Sequence, residues 1–372
     1  MRNFLKKTFI VVNGLLALCF LLGAYARFFD PLHWWFIGLF TFVLAYLLTA
    51  LGVLLVFWIV KREAWFLISL TAIIAGWGAI TNIFPMRFSS SFSMRKDPAA
   101  IRVMSWNVDQ FNILHHKDHP EVKKEMIDLI NQYDPDIACF QEVVASDKTS
   151  GINYLPAILH ALRFTDYFYS YSVRDNFDRD HHFGRLILSK LPILDKQTVV
   201  NDPNDYNATF QYVDVLKGSD TIRVFNIHLQ SLKFSKSNLN YLDNSTLASD
   251  STLTESRSII AKIKKAFIKR SVQARFIRDE VDNSPYPVIL CGDFNDVPNS
   301  YAYETIGSGM QNAFVKKGFG FARTFSTISP TLRIDNIFAD RDFTVTQFIR
   351  VKKLLSDHFP ILADLALPDS SK

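Results

Sequence analysis

Cysteine is scarce in this sequence, and internal repeats and low-complexity tracts are missing. Only three of the 372 residues are cysteines, Cys19, Cys139 and Cys291. Each lies in an apolar run, which is typical of a buried thiol. Their number and spacing fit neither a disulfide framework nor a cysteine metal site. The sequence therefore excludes a disulfide scaffold and a zinc-binding module built on cysteines.

A basic excess is also missing from most of the chain, although the formal net charge is +5. Residues 1–96 contain nine Lys/Arg against two Asp/Glu and carry +7, so the remainder contains 32 against 34 and carries −2. A protein that grips long nucleic acid usually has a clear basic excess. The part of the chain after residue 96 has no basic excess, and a local basic groove is the alternative.

Charged residues are missing from three long apolar runs, residues 8–26, 34–60 and 64–86. An uncharged apolar run of about 20 residues is enough to span a bilayer as a helix. The first run alone could be a signal peptide behind its basic start, and all three could be buried core helices. Three such runs in succession favour transmembrane helices instead. We therefore expect residues 1–86 to form a membrane anchor with the lipid bilayer as its partner.

Lysine and arginine are unevenly distributed around these runs. Three basic residues lie within residues 2–7, and Lys61 and Arg62 separate the second and third runs, whereas the first loop has only Arg27. The positive-inside rule then predicts a cytoplasmic N-terminus and an extracytoplasmic C-terminal domain. Short loops without disulfides or a eukaryotic targeting motif fit a bacterial inner membrane. Basic residues after the third run leave a cytoplasmic domain as the alternative.

Residues 87–99 are polar and serine-rich, and they predict a linker. Beyond it, up to residue 368, short runs rich in β-branched residues alternate with amphipathic patterns, which include helices expected over 119–133 and 253–282. Residues 230–251 are rich in serine and asparagine and predict an exposed loop. Mixed strands with interspersed helices predict an α/β sandwich, in which two packed mixed β-sheets are flanked by helices.

Polar side chains follow several of the predicted strands. A carboxylate at the end of a buried strand is costly unless something pairs with it. If these strand ends converge, they form an oxygen-rich pocket with two imidazoles. The candidate residues are Asn107, Asp109, Glu142, His228, Asp293, Asn295, Asp335, Asp357 and His358.

These residue types suit the hydrolysis of a phosphoester. Carboxylate and amide oxygens are the hard ligands that Mg²⁺ prefers, together with water and phosphate oxygens. A histidine can protonate or orient a phosphate oxygen while a neighbouring aspartate holds it in one tautomer. Another aspartate can take a proton from the attacking water. No Cys, Ser or Lys stands out as a covalent nucleophile.

Six motifs, "SWNVD", "FQEV", "NIHL", "GDFND", "RIDNIF" and "SDHFP", follow one another in this order. In order and spacing they resemble the endonuclease/exonuclease/phosphatase superfamily, which includes pancreatic-type deoxyribonucleases, over residues 100–368. The resemblance implies a four-layer α/β sandwich of the DNase I type. It also implies hydrolysis of phosphoester bonds with Mg²⁺, for which Mn²⁺ can substitute.

The resemblance assigns roles to each candidate residue. It implies that His228 contacts the phosphate, that Asp293 activates the attacking water and that Asn295 orients it. His358 then acts at the scissile phosphate, with Asp335 as its orienting partner. The implied metal-site residues are Asn107, Asp109, Glu142 and Asp357, with Glu142 as the principal ligand.

Other polar residues favour structural interpretations. Asp296 is typical of a turn or helix cap before Val297 and Pro298. The histidines at 115, 116 and 119 are expected in a solvated loop, and Arg185 could contact a phosphate or pair with an acid. The aromatic run at 167–172 predicts sheet packing rather than a base-stacking surface, because strand alternation buries every second ring.

We therefore expect a membrane-anchored, metal-dependent phosphoesterase, first of all a nuclease. A phospholipid or sphingomyelin-type head-group phosphodiesterase or phosphatase is the alternative within the enzyme class, because the anchor keeps the pocket beside a bilayer. An alternative of another class is a catalytically silent binding protein on the same fold. The presence of every acid, amide and imidazole argues against this last alternative. No protein partner can be inferred.

Overall fold

The chain is divided between two units of the computed structural model, which describes residues 2–88, 91–115, 117–146, 155–176, 181–201, 209–232 and 250–367. The first, here called the helical unit, comprises Met1–Met86, Leu232–Arg275 and Asp296–Ile306. The second, here called the sheet unit, comprises Arg87–Ser231, Phe276–Asn295 and Gly307–Lys372. Residues 233–249 of the expected exposed loop lie outside the described residues.

The described N-terminal part of the helical unit, residues 2–86, contains two short 3-10 helices and six α-helices, which are α1 (Arg2–Ala24), α2 (Pro31–Trp34), α3 (Leu39–Phe42), α4 (Leu44–Val60), α5 (Phe66–Ala75) and α6 (Trp77–Ile83). Only Phe4–Ala24 among the described helices is by itself long and apolar enough to cross a membrane. The two later runs are bent helix pairs, by 59° at Val43 and by 67° at Gly76, and up to three spans result if each pair counts as one. Three uninterrupted transmembrane helices are therefore not confirmed.

The break at Gly76 lies at a close contact between helices. A Cβ atom at this position would lie 2.4 Å from the ring of Phe20 on α1. Because only glycine permits so close an approach, α1 packs directly against the point where α5 ends. This packing could not be predicted from hydropathy, which counts apolar residues without their neighbours.

A polar contact joins α1 to α5 inside the apolar helices. Ser69 Oγ donates to Asn13 Oδ1 at 2.7 Å, and Asn13 Nδ2 donates to the carbonyl of Trp65 at 3.1 Å. Both side chains are buried. Nearby, Lys6 pairs with Glu63 at 2.6 Å on the surface. The N-terminal end of α1 therefore lies beside the turn between α4 and α5.

Two further helices contribute to the helical unit. They are the first part of α9 (Asp250–Asp282), up to Arg275, and the whole of α10 (Tyr301–Ile306). Phe267 of α9 stacks on Phe42 of α3, with ring centroids 5.5 Å apart. The predicted helix over 253–282 is therefore present, and it packs on the N-terminal helices.

The described residues of the sheet unit form twelve strands in two six-stranded sheets. The strands are β1 (Ala100–Asn107), β2 (Ile137–Ala145), β3 (Asp166–Asn176), β4 (His182–Ser189), β5 (Ile193–Val200), β6 (Thr209–Lys217), β7 (Asp220–His228), β8 (Val288–Asp293), β9 (Gln311–Asn312), β10 (Asp335–Ala339), β11 (Thr344–Arg350) and β12 (Ile361–Ala366). Their orders are β11-β12-β1-β2-β4-β3 and β5-β6-β7-β8-β10-β9. Pairs β1–β2 and β7–β8 are parallel, and the other pairs are antiparallel. The predicted pair of packed mixed sheets is confirmed.

Apolar side chains on both faces of the inner strands form the core. Val103 and Cys139 face the space between the sheets, where they join Val224 and Cys291 of the second sheet. Their neighbours along the strands face outward under α7 (Glu121–Tyr133) and α8 (Leu155–Ala161). In the sequence, a strand that is buried on both faces is a continuous run of apolar residues. A short helix, α11 (Ala313–Lys317), follows β9.

Strand register brings candidate residues side by side at one end of the sheets. In the second sheet, Asp293 at the end of β8 is paired with His228 on β7 and with Asp335 on β10. In the first sheet, Asn107 at the end of β1 is paired with Gln141, the residue before Glu142. The register therefore explains why residues far apart in the sequence meet.

Candidate active site

The buried carboxylate of Asp293 lies at the centre of the candidate site. Its Oδ2 accepts a hydrogen bond from Asn107 Nδ2 at 3.2 Å, and its Oδ1 accepts one from the backbone N–H of Asn295 at 2.7 Å. Two imidazoles face the same carboxylate, with His228 Nε2 3.6 Å and His358 Nε2 3.7 Å from Oδ2. Five of the predicted site residues, contributed by both sheets, therefore meet at one carboxylate.

The backbone around Asp293 requires special residues. A Cβ atom at Gly292 would lie 2.0 Å from the carbonyl oxygen of Ile227, so only glycine lets β7 and β8 run together here. Asn295 has a φ of 49°, in the left-handed region that asparagine tolerates better than most residues. Its Nδ2 donates to the carbonyl of Leu229 at 3.1 Å, which holds this conformation.

His358 and Asp335 form a buried pair beside Asp293. His358 Nδ1 lies 2.9 Å from Asp335 Oδ2. The hydroxyl of Thr324 accepts the backbone N–H of Asp335 at 3.0 Å, and the ring of Phe325 packs edge-on against His358 with centroids 5.0 Å apart. Because Nδ1 is engaged by the aspartate, Nε2 is directed toward the site.

Glu142 lies at an irregularity in β2. The register between β2 and β4 shifts between Phe140 and Val143, and Glu142 has a φ of 54°. Its Oε2 accepts a hydrogen bond from Gln110 Nε2 at 3.4 Å, and its Oε1 lies 3.6 Å from His228 Nε2. Bulges and left-handed non-glycine residues are found disproportionately at functional sites.

Asp109 and Asp357 lie around Glu142. The N–H of Asp109 donates to Asn107 Oδ1 at 3.2 Å. Asp357 Oδ1 accepts from Ser356 Oγ at 3.2 Å and lies 4.0 Å from His358 Nε2. The negative charges of both aspartates act on Glu142. All nine predicted residues therefore lie in one connected group.

Burial and neighbouring charges shift three acidities in this group. Burial raises the pKa of Asp293 to about 7, against the opposing charge of His358. Burial also raises the pKa of Glu142, against the hydrogen bond from Asn107. For His358, burial lowers the pKa, but the charges of Asp335 and Asp293 outweigh it and hold the pKa well above its usual value.

Two groups of side chains offer ligand atoms for a metal ion. Ligand atoms of Asp293, Asp335 and His358 lie within 4.8 Å of one another. Within this trio, however, His358 Nδ1 and Asp335 Oδ2 already engage each other at 2.9 Å, so the trio fits an acid–base group better. Glu142 has a side chain that is 28% exposed, it is hydrogen-bonded to Asn107, and the charges of Asp109 and Asp357 act on it. Carboxylate and amide groups of this kind supply the oxygen donors of a hard divalent cation. The residues around Glu142 therefore fit a divalent metal ion.

Three supporting residues were missed by the sequence reasoning. Ser356 Oγ donates to the carbonyl of Asn107 at 2.8 Å and accepts the N–H of His358 at 3.1 Å. Gln110 contacts Glu142, and Thr324 fixes the start of β10. Ser356 lies inside the "SDHFP" motif, and Gln110 directly follows the "SWNVD" motif. Their proximity to these motifs could have indicated a role at the site. No signal pointed to Thr324, which reaches the site through a loop.

The polar and aromatic residues that were expected to have structural roles lie in varied surroundings. Asp296 Oδ1 accepts the N–H of Val297 at 3.0 Å, as expected of a turn residue, but it is also buried 3.4 Å from Arg270. Arg185 is buried in β4. His119 is exposed near Glu121, whereas His116 lies outside the described residues. Among the aromatic residues, Phe168 packs into the core between the sheets and Tyr169 packs on the outer face.

Comparisons with known proteins agree with this arrangement. Residues 104–358 match the model of the Endonuclease/Exonuclease/phosphatase family, which covers more than half of the chain. The chain therefore belongs to this family, whose members hydrolyse phosphoester bonds with a divalent metal ion. Residues 6–83 match a domain of unknown function (DUF8431). None of the curated proteins matches the sequence.

Solved structures of the family share the fold. An endonuclease/exonuclease/phosphatase from Beutenbergia cavernae is 19% identical, with a TM-score of 0.53 over 73% of this chain and 72% of that chain. A family protein from Bacteroides thetaiotaomicron is 16% identical, with a TM-score of 0.51 over 73% of this chain and 96% of that chain. At these identities the likeness shows the fold alone.

Proposed function

We propose that this chain is a membrane-anchored phosphoesterase that hydrolyses phosphodiester bonds with Mg²⁺, or with Mn²⁺ as a substitute, and whose first candidate substrate is nucleic acid. One observation carries the proposal above the others. Asn107, His228 and His358, from different parts of both sheets, converge within 3.2–3.7 Å of the buried Asp293 carboxylate. Such convergence of costly buried polar groups favours catalysis over a silent binding role.

The proton transfers are assigned to Asp293 and His358. With a pKa of about 7, Asp293 is ionised in a large share of molecules at neutral pH and accepts a proton from the attacking water. Asn295 orients that water and the phosphate. His358, held by Asp335, donates to a phosphoryl oxygen and stabilises the charge that develops there, and His228 contacts the same phosphate.

The metal is assigned to the residues around Glu142. Asn107, Asp109, Glu142 and Asp357 would hold the ion, which when bound neutralises charge on the leaving oxygen. Gln110 and Ser356 support these residues. Gln110 restricts the Glu142 carboxylate, and Ser356 joins the end of β1 to Asp357 and His358.

The anchor assignment is supported by the helical unit. We propose that residues 1–86 are a three-span anchor, that 87–99 are a linker and that 100–368 are the catalytic domain. Lys6 pairs with Glu63 at one end of the helices, whereas Arg27 pairs with Glu304 at the other end. This separation is compatible with a cytoplasmic N-terminus and an extracytoplasmic catalytic domain in a bacterial inner membrane.

A second candidate substrate is a lipid head group. Residues 250–275 and 296–306 belong to the same unit as the apolar helices, and the last of these segments begins immediately after Asn295. Parts of the proposed catalytic domain therefore belong to the same unit as the proposed membrane anchor. The lack of a basic excess after residue 96 favours the same candidate.

The deciding experiment uses the full chain in lipid nanodiscs. Supercoiled DNA, single-stranded RNA, and sphingomyelin and glycerophospholipid vesicles are each offered with Mg²⁺ and with EDTA. Chelator-sensitive nicking of DNA supports the nuclease, and release of a head group with DNA untouched supports the lipid phosphodiesterase. Failure to hydrolyse any of them with Mg²⁺ or Mn²⁺ contradicts both proposals and favours a silent binding protein.

A further inference from the structure

The segment Asp296–Ile306, here called the post-site segment, directly follows Asn295 in the chain and belongs to the helical unit. Its residue Asn299 is buried and has a φ of 68°. Asn299 Nδ2 donates to the carbonyl of Ala79 on α6 at 3.1 Å. In return, Asn299 Oδ1 accepts from Asn82 Nδ2 at 3.0 Å. A left-handed residue is thus fixed by two hydrogen bonds to one apolar helix.

A second contact fixes the other end of the post-site segment. Asn82 Nδ2 also donates to Glu304 Oε1 at 3.0 Å, so both amide hydrogens of Asn82 are used on this segment. Glu304 Oε2 pairs with Arg27 at 3.2 Å, and the glutamate side chain is 19% exposed. Two residues of the N-terminal region therefore satisfy one largely buried carboxylate.

Two further polar contacts hold the same segment. Asp30 pairs with Arg275 at 2.7 Å, and the same guanidinium nitrogen donates to the hydroxyl of Tyr301 at 3.2 Å. At the start of the segment, Asp296 lies 3.4 Å from buried Arg270 of α9. An anchor that served only as a tether would need no such fit with a segment more than 200 residues away in the sequence.

We propose that Arg27 and Asn82 are positioning residues, which hold the post-site segment and, through its peptide bond to Asn295, set the geometry of the catalytic strand end. The inference rests on the proposed function for the role of Asn295. That residue has a left-handed backbone and is fixed on its N-terminal side by hydrogen bonds to Asp293 and Leu229. Its C-terminal side continues into the segment that the apolar helices hold.

The test is a charge swap in the full chain in nanodiscs. R27E and E304R each place like charges together, whereas the double variant R27E/E304R restores an opposite pair. K6E is the matched control, because it breaks an ion pair of the same kind with Glu63 at the other end of the helices. N82A removes the second contact. Hydrogen–deuterium exchange over residues 296–306 and kcat and KM on bis-p-nitrophenyl phosphate with Mg²⁺ are measured for each.

We expect R27E, E304R and N82A to raise exchange over the post-site segment and to lower kcat by about 10- to 100-fold, since small misplacements of catalytic groups have effects of this size. KM should change little. The double swap restores the ion pair but removes the carboxylate that accepts from Asn82, so relative to R27E and E304R it should recover both quantities only in part. K6E should change neither. Unchanged exchange in R27E and N82A would overturn the inference, as would raised exchange with unchanged kcat. A wild-type chain without activity would refute the proposed function instead, while the exchange data would still decide whether the helices hold the segment.

Discussion

His358 Nδ1 lies 2.9 Å from Asp335 Oδ2, and both side chains are buried beside Asp293. The two residues are 23 positions apart, and the pair forms because β10 begins at Asp335 while the chain returns to the same end of the sheets before β12. The aspartate fixes one nitrogen of the ring and holds the charge of the imidazolium. In the proposed function, the other nitrogen acts at the phosphate.

The first prediction concerns the charge of this pair. In D335N the loss of the negative charge lowers the pKa of His358, which Asp335 holds well above its usual value. The protonated form is then lost at a lower pH, so the alkaline limb of the kcat/KM profile should move to lower pH and the maximal rate should fall by about tenfold or more. The exposed D342N seven residues away is the control and should keep the wild-type profile. An unshifted limb in D335N would refute the proposed orienting role.

The second prediction concerns the stability of the site without metal. Asp293 binds a proton up to about pH 7 in the folded chain, whereas its ordinary pKa is 3.8. Between these values the folded state binds more protons than the unfolded state, so stability must fall as the pH rises. In EDTA, D293N should therefore show a smaller drop in melting temperature from pH 4.5 to 8 than the wild type. Parallel curves for the two proteins would contradict the shifted pKa.

The third prediction concerns metal affinity. E142Q removes the charge of the proposed principal ligand, and we expect Mn²⁺ binding measured by calorimetry to weaken by at least about tenfold. E125Q is a matched control, because Glu125 lies on the surface of α7 and pairs with Lys353 at 3.0 Å. Equal affinities of E142Q and the wild type would place the metal elsewhere.

The fourth prediction concerns the core of the first sheet. Arg102 on β1 binds Asp364 on β12 through two hydrogen bonds of 2.8 and 2.9 Å, and both side chains are 1% exposed. R102M leaves a buried carboxylate without its cation and should lower the free energy of unfolding by about 3–5 kcal/mol. K124A breaks only the exposed pair with Asp128 and should cost about 0.5 kcal/mol or less. A urea titration of both variants that showed similar losses would contradict this.

Much of the site could be predicted because each strand ends in a recognisable way. The apolar run before Asp293 ends in a glycine, and the run before Glu142 ends in polar residues, so both strand ends were visible in the sequence. Parallel pairing of β7 with β8 then brings His228 opposite Asp293. The local sequence pattern identifies each strand. The convergence of the strand ends follows from the pairing of the strands within the sheets.

Other features depend on contacts that local pattern does not encode. The breaks at Val43 and Gly76 interrupt apolar runs that hydropathy treats as uniform. Thr324 reaches Asp335 from a loop without regular periodicity. The contact of Asn82 with Glu304 joins residues 222 positions apart, and its distance of 3.0 Å reflects tertiary packing alone.

The most direct test of the central claim is the initial rate of bis-p-nitrophenyl phosphate hydrolysis by the full chain in nanodiscs. The wild type, D293N and H358A are compared in Mg²⁺ and in EDTA. A metal-dependent, Asp293-centred site predicts hydrolysis that EDTA abolishes and that each substitution lowers by at least about 100-fold. Hydrolysis that persists in EDTA, or equal rates in the variants and the wild type, would contradict it.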